Sequence, residues 1–429
     1  MNAPTRTGLF HKIADALEPA GIAVLSGHRN DAADPPSDMD VIGTPAAFQK
    51  IKTLIRAGEV RAVQLLQHET TSFYWVFHQD QERGRPVFLP FDFSFDYRRH
   101  GKIFYRAADL LPHRLTRARP PVLPPALEFG YYLVKKIGKA NLEARHAEIL
   151  SDLYRQDPQG CQRELARFFP EAEQRALAQA AQDADWSAIQ TQLPNLQRVM
   201  RPASRTAGDL FPELLRRLKR VVQPSGLIVA LLGPDGSGKS SLAEQITRDL
   251  HPAFRHTQIV HLRPSLRAQT PVGPVANPHG LPPRSFPFSL LKLAYWWSET
   301  LVGWLAKIHP AKIRSTFIVF DRFYHDLIAD PKRYRFAGPL RLARWVGWLI
   351  PRPDLFLLLD LPAETARARK PEIPLEEARR LRKNYLNLAK RLPNAHVLDA
   401  SRPLEEVAAA AEGVILNHLA QRLQKRLGL

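Results

Sequence analysis

The chain has 429 residues, 45% of them hydrophobic, and its 61 lysine and arginine residues outnumber 42 aspartate and glutamate residues, for a formal net charge of +19. This length and apolar content suffice for two or three domains with a core in each, so global disorder is excluded. The lone cysteine, Cys161, excludes an intrachain disulfide and a zinc site of paired cysteines, which favours a reducing, cytoplasmic location.

The apolar stretches of the sequence predict no transmembrane segment. Residues 1–20 alternate polar and apolar side chains and lack the apolar core of a secretory signal. The most apolar window, residues 288–308, contains Lys292, Ser298 and Glu299, whereas a spanning helix needs about 20 largely uninterrupted apolar residues. Docking of this window on a membrane face or on a partner protein stays open.

The first 222 residues fall into three predicted parts. Residues 1–111 indicate an α+β domain, 112–126 a proline-rich linker, and 127–222 a helical subdomain. Strands of the first part are predicted at Gly21–Ser26, Met39–Ile42, Thr71–His78, Pro86–Phe95 and Lys102–Tyr105, and helices at Phe10–Leu17 and Pro45–Arg56.

Residues 223–429 alternate short apolar runs with helical patterns. Such alternation predicts an α/β domain with a parallel sheet covered by helices on both faces. The predicted strands are Leu227–Leu232, Gln258–Leu262, Thr316–Phe320, Leu355–Leu359 and His396–Leu398. The predicted helices are Gly238–Leu250, Ser289–Ile308, Leu340–Leu349, Ala363–Arg369, Leu375–Lys390 and Leu404 to about Arg426, and a proline-rich excursion covers 264–287.

A phosphate-binding loop is the strongest motif. Residues 233–240 read GPDGSGKS and fit G-x-x-x-x-G-K-[ST] between a predicted strand and a predicted helix. Glycines let backbone N–H groups face phosphate oxygens, and the N-terminal end of the helix attracts the same anions. Lys239 is expected to reach the β- and γ-phosphates of ATP, and Ser240 to bind Mg²⁺. The predicted nucleotide-binding residues are Gly233, Asp235, Gly236, Ser237, Gly238, Lys239, Ser240 and Ser241.

Asp235 places a carboxylate inside this anion cradle. The octapeptide resembles the phosphate loop of thymidylate kinase-like P-loop kinases, in which an acidic residue here contacts a sugar hydroxyl of the accepted nucleotide. Interaction with the dipole of the following helix is the alternative role.

An Asp-Arg pair follows the predicted strand Thr316–Phe320. The sequence DRFY resembles the family's D-R-[FY] motif, which implies that Asp321 lies near Mg²⁺ or the acceptor and that Arg322 binds the acceptor's anionic group. A structural ion pair is the alternative. Downstream, Arg333 and Arg335 either clamp a second phosphate or belong to a solvated loop.

A basic segment at residues 363–370 follows Asp360-Leu361-Pro362 and resembles the family's lid. Arginines that close over a transferring phosphoryl group stabilise the charge on its equatorial oxygens. Arg367 and Arg369 are therefore predicted to be catalytic together with Lys239, Asp321 and Arg322, and a solvated helix face is the alternative for the two lid arginines.

The resemblance covers residues 227 to about 415, and it is weakest where the acceptor is expected. The excursion at 261–287 and an aromatic helix with Tyr295, Trp296 and Trp297 depart from thymidylate kinases. P-loop kinase-like proteins with these motifs are similar to members associated with bacterial surface polysaccharide synthesis. A sugar phosphate is therefore an acceptor alternative to a nucleoside monophosphate.

Carboxylates in the first part resemble the signature of nucleotidyltransferase-like domains, because LSGH is followed after nine residues by DMDV. Alternation puts Asp38 and Asp40 on one side of a strand, where two carboxylates can hold metals that bridge a triphosphate. Asp92 is the predicted third carboxylate, with Asp96 as the second choice. His28 replaces the family's Ser or Gly, so the alternative to a catalytic domain is a binding or regulatory module of the same fold. The alternative to a nucleotidyltransferase-like fold is that these aspartates lie in a surface turn.

The leading prediction is an ATP- and Mg²⁺-dependent kinase that phosphorylates an anionic small molecule. The alternatives are a nucleic-acid end-processing enzyme and a nucleotide-binding assembly protein without catalysis. Residues 223–429 hold 30 basic and 17 acidic residues, a net charge of +13, which suits a site for two phosphorylated substrates. Because the basic residues are dispersed, a small molecule is favoured over nucleic acid. A homodimer is compatible with the sequence.

Overall fold

The computed structural model describes residues 5–26, 39–79, 85–99, 101–201, 207–264, 282–369, 371 and 373–429. The chain divides into two compact units, the first formed by Met1–Leu218 with Arg422–Leu429 and the second by Lys219–Gln421. None of the described helices combines the length and the apolar character needed to cross a membrane.

The first unit contains a five-stranded mixed sheet. Its strands are β1 Ile22–Ser26, β2 Met39–Gly43, β3 Arg61–Gln67, β4 Ser72–Gln79 and β5 Val87–Ser94, followed by a hairpin of β6 Asp96–Arg99 and β7 Lys102–Arg106. The order in the sheet is β1-β2-β5-β4-β3, and only β2 and β5 are parallel neighbours. Strands β3 and β6 lie where the sequence predicted none.

Helices cover this sheet and continue its core. They are α1 Arg6–Leu17, α2 Pro45–Arg56, α3 Ala107–Leu110, α4 Pro125–Gly138, α5 Ala144–Gln156, α6 Pro158–Phe168, α7 Glu171–Asp183 and α8 Ser187–Met200. Helix α9, Ala207–Val222, begins in this unit and ends in the second. Buried residues of α4 to α8 share one hydrophobic core with Ala23, Leu25 and Ile42 of the sheet. Within the predicted linker, the carbonyl of Pro121 accepts a hydrogen bond from the N–H of Val24 at 2.8 Å.

The second unit is built on a five-stranded parallel sheet, which confirms the predicted fold class. The strands are β8 Leu227–Leu232, β9 His256–His261, β10 Thr316–Asp321, β11 Leu355–Asp360 and β12 Ala395–Asp399, in the order β12-β11-β8-β10-β9. Every residue of β8 and β10 is buried, as expected for strands covered on both faces.

Helices flank the parallel sheet. They are α10 Lys239–Asp249, α11 Phe286–Gly303, α12 His309–Ile313, α13 Asp326–Ala329, α14 Leu340–Leu349, α15 Ala363–Arg369 and α16 Leu375–Ala389. Helix α17, Leu404–Leu427, begins in this unit, and its residues from Arg422 onward belong to the first unit. Helix α11 begins earlier than predicted, inside the stretch assigned to the proline-rich excursion. Pro287 fits there because it lies in the first turn, where no backbone N–H is needed. Residues 265–281 of that excursion lie outside the described residues.

A glycine before β8 marks a close approach of two backbone segments. A Cβ added at Gly226 would lie 2.6 Å from the carbonyl oxygens of both Lys312 and Thr316. Neither backbone oxygen can move without displacing α12 or β10, so this position requires glycine.

We expect Gly226→Ala to destabilise the second unit by about 1–3 kcal/mol, the usual cost of forcing a methyl group into a filled space. Thermal unfolding of the full chain, followed by circular dichroism, should show a lower midpoint. The matched control is Gly413→Ala in α17, where an added Cβ meets no atom within 4 Å and alanine suits a helix better than glycine. A midpoint for Gly226→Ala equal to or above that of the control would contradict the close approach.

Candidate functional site

The loop between β8 and α10 depends on glycines at three positions. Gly233, Gly236 and Gly238 have φ angles of 145°, 79° and 85°, which side chains with a Cβ rarely adopt. A Cβ on Gly233 would also lie 2.8 Å from the carbonyl oxygen of Leu359. The backbone shape of the predicted phosphate loop is therefore specified by its glycines.

The ammonium group of Lys239 lies inside this loop. The side chain starts α10, is 5% exposed, and donates hydrogen bonds to the carbonyl oxygens of Gly233 at 2.9 Å and Pro234 at 2.7 Å. Ser237 is buried beside it, whereas Ser241 is exposed on the first turn of α10. The structure thus places a buried cation at the centre of the loop.

Asp321 meets the loop because β10 lies next to β8 in the sheet. Ser240 Oγ donates a hydrogen bond to Asp321 Oδ2 at 2.6 Å. Asp321 Oδ1 is buried and has no hydrogen-bond partner among the described residues. Hydroxyl and carboxylate oxygens are ligands that Mg²⁺ prefers, and an unpaired buried oxygen fits a bound cation.

The described residues contain no group of three or more His, Cys, Asp or Glu side chains placed to hold a metal. A pair of protein oxygens still fits Mg²⁺, because this ion keeps several water ligands and completes its shell with substrate phosphates.

An arginine-rich cleft adjoins the loop, between the end of β10 and helices α15 and α16. Its charged lining residues are Asp235, Arg322, Asp330, Arg333, Arg367 and Arg382. Both Arg322 and Arg333 form ion pairs with the carboxylate of Asp235. Arg322 has a φ of 75°, a backbone conformation that costs energy outside glycine and is typical of functional sites. The cleft presents an excess of positive charge beside the phosphate loop.

The predicted arginines divide between the cleft and the surface. Arg367 lines the cleft, whereas Arg369, two residues further along α15, is exposed and is not part of the lining. Arg335 donates to the carbonyl oxygen of Pro282 at 2.9 Å, away from Arg333 in the cleft. The structure therefore brings one residue of each predicted arginine pair to the site.

Arg382 on α16 is a cleft residue that the sequence did not reveal. It donates two hydrogen bonds to the carboxylate of Asp360, at 2.7 and 2.8 Å. Asp360 ends β11, so its position at the carboxyl end of a parallel strand is a signal that could have suggested a cationic partner.

Asp326 connects the segment after β10 with helix α16 through hydrogen bonds. Its carboxylate is completely buried and accepts hydrogen bonds from the Phe323 N–H at 2.9 Å and from the Tyr385 hydroxyl at 2.7 Å. Burial raises the pKa of the Asp326 carboxyl, while the nearby cations of Arg322 and Lys239 act in the opposite direction. This carboxylate orders the wall of the cleft.

In the first unit, Asp40 and Asp92 are register partners on the parallel strands β2 and β5. Lys135 on α4 forms an ion pair with Asp40. Asp96, the second choice for a third carboxylate, accepts hydrogen bonds from Arg98 at 2.7 and 2.6 Å. Asp38 and His28 lie outside the described residues.

We expect Tyr385→Phe to lower the stability of the second unit by about 1–3 kcal/mol, because it leaves a buried carboxylate oxygen of Asp326 without its donor. Differential scanning calorimetry of the full chain measures the change. Tyr295→Phe is the matched control, since the Tyr295 side chain is 56% exposed on α11. Equal transition temperatures for the two variants would show that the Tyr385 hydroxyl does not support Asp326.

Comparison with known proteins finds a family model and relatives that match a little under half of the chain. The family model described as "Thymidylate kinase" matches residues 232–411. "Probable thymidylate kinase 1" of Saccharolobus solfataricus is 31% identical over 206 residues, which cover 45% of this chain and 98% of the relative. "Thymidylate kinase" of Xanthomonas oryzae pv. oryzae (strain PXO99A) is 29% identical over 212 residues, which cover 47% of this chain and 88% of the relative. On the strength of these matches, the chain belongs to the thymidylate kinase family and is a P-loop phosphotransferase.

Proposed function

We propose that this chain is an ATP- and Mg²⁺-dependent kinase that phosphorylates a nucleoside monophosphate of the thymidylate type, with residues 223–429 as its kinase domain. The observation that carries the proposal is the hydrogen-bonded pair of Ser240 and Asp321 beside a glycine-rich loop, at the edge of an arginine-rich cleft. The names of the relatives support the nucleotide as acceptor.

The loop supplies the donor side of the proposed reaction. Backbone N–H groups around Gly236 and Gly238 bind the phosphates of ATP, and Lys239 exchanges its hydrogen bonds to loop carbonyls for bonds to phosphate oxygens. Ser240 and Asp321 would hold Mg²⁺, which would supply positive charge to neutralise the β- and γ-phosphates.

The cleft supplies the acceptor side. Asp235 accepts a hydrogen bond from a sugar hydroxyl, and Arg322 and Arg333, which now pair with Asp235, bind the acceptor's phosphate. A phosphate oxygen of the acceptor forms a bond to the γ-phosphorus while the bond from that phosphorus to the β–γ bridging oxygen breaks. ADP leaves with the electron pair, and Arg367 stabilises charge on the transferring group.

We expect Lys239→Ala to lower the kcat of phosphoryl transfer by about 10²- to 10³-fold, the usual cost of removing one group that stabilises transition-state charge. Transfer from γ-labelled ATP to thymidylate measures this. Lys390→Ala is the control, because Lys390 is exposed at the C-terminal end of α16 and outside the cleft. Transfer that is independent of Lys239 would contradict the proposed donor site.

Arg333→Ala should raise the KM for the nucleoside monophosphate by about 10- to 100-fold, the cost of one charge-assisted hydrogen bond. Lys332→Ala is the matched control, because Lys332 pairs with Glu377 outside the cleft lining. Assays with thymidylate, other nucleoside monophosphates and sugar 1-phosphates compare acceptor classes. Faster transfer to a sugar phosphate than to every nucleotide would replace the proposed acceptor while leaving the kinase assignment intact.

A further inference from the structure

A second cavity lies against a different face of α16. It has a volume of about 470 Å³, within the range of roughly 300–1,000 Å³ that is typical of small-molecule sites. The segment from α13 to α14 forms one wall, and α16 with the turn after it forms the other. The lining residues that bear on the argument are His325, Arg344, Trp348, Arg352, Asn387 and Arg391.

The lining carries three positive charges and no acidic side chain. Arg344, Arg352 and Arg391 are the ionised residues among those that line the cavity. None of the three forms an ion pair with a carboxylate in the described part of the chain. Guanidinium groups bind phosphate through paired, charge-assisted hydrogen bonds, so this charge pattern favours a phosphorylated ligand.

A buried imidazole adds an unused hydrogen-bonding atom. His325 is 6% exposed, and its Nδ1 is buried without a hydrogen-bond partner among the described residues. The imidazole stacks on the ring of Phe323 with ring centroids 5.6 Å apart, and it meets the ring of Phe356 edge to face with centroids 5.1 Å apart. These two contacts fix the orientation of the imidazole. Burial and the nearby Arg352 lower the pKa of His325 to about 4, so the ring is neutral near pH 7. Because His325 is one of the lining residues, its unpaired nitrogen lies close to the space that a ligand would fill.

An aromatic surface lies at the edge of the same cavity. The side chain of Trp348 lines it and is 78% exposed, although an indole of this size is usually covered. A planar ring can stack on this indole. Asn387, which is exposed, adds an amide to the cavity lining. The combination of arginines with an exposed aromatic face suits a phosphate attached to a flat ring system.

We propose that this cavity binds a nucleotide, separately from the site of phosphoryl transfer. The phosphate lies among Arg344, Arg352 and Arg391, and the base stacks on Trp348. The proposal rests on the lining of this cavity and does not depend on which acceptor the kinase uses.

Equilibrium dialysis of the full chain with radiolabelled thymidylate tests the proposal. The Arg344→Ala/Arg352→Ala variant should lose one bound equivalent of thymidylate per chain, or bind that equivalent at least about tenfold more weakly. The reason is that two contacts to the phosphate are removed. The control, Arg314→Ala/Arg341→Ala, removes the same charge from exposed positions outside the lining and should bind as the unmodified chain does. Equal loss in both variants, or no loss in either, would overturn the site.

Two further comparisons test the chemistry of the ligand. His325→Phe keeps an aromatic ring but removes Nδ1, and we expect it to weaken the same equivalent about tenfold while the unfolding midpoint stays within a few degrees. Thymidine, which lacks the phosphate, and ribose 5-phosphate, which lacks the base, should each compete at least about tenfold less well than thymidylate. Equal competition by either compound would overturn the assignment to nucleotides.

The dialysis also separates this site from the kinase site. Lys239→Ala should leave the equivalent that depends on Arg344 and Arg352 in place, whatever happens to phosphoryl transfer. If transfer assays fail and this equivalent remains, the proposed function is wrong and the second site stands. If the equivalent is lost with Lys239→Ala, the second site is wrong and the assignment of the kinase is unaffected.

Discussion

The hydrogen bond between Ser240 and Asp321 depends on one constraint, the adjacency of β8 and β10 in the parallel sheet. Both strands run in the same direction, so their carboxyl ends reach the same edge. One end delivers the phosphate loop and the other delivers an Asp-Arg pair. Because every residue of the two strands is buried, hydrophobic packing fixes their register and with it the distance between the loop hydroxyl and the carboxylate.

Much of the second unit could be predicted because its signals are local. The phosphate loop needs glycines at adjacent turns, and buried parallel strands are continuous apolar runs, so a short window of sequence contains the evidence for each. Strand β3 was missed because a register shift between Ala62 and Gln64 breaks the alternation of polar and apolar residues, and β6 has a similar shift at Tyr97 and Arg98.

The parts of the site that the sequence did not predict depend on contacts between residues that are distant in sequence. Arg382 reaches Asp360 across 22 positions, and Tyr385 reaches Asp326 across 59. A helical pattern shows that α16 has a buried face but does not show which strand end it covers. For the same reason the two lid arginines could not be separated by spacing alone, because the rotation of α15 decides that Arg367 and not Arg369 lines the cleft.

The ion pairs of Asp235 with Arg322 and Arg333 make the cleft partly self-neutralised. A carboxylate that belongs to the chain occupies the guanidinium groups in advance, so under the proposed function an incoming phosphate would replace one anion with another instead of stripping water from two bare cations. In that proposed reaction, recognition would be an exchange of partners, in which the arginines are already oriented and the loop aspartate is released to bind a hydroxyl. A site that works in this way would select for ligands that carry both groups, since an anion without a hydroxyl would leave Asp235 displaced and unpaired.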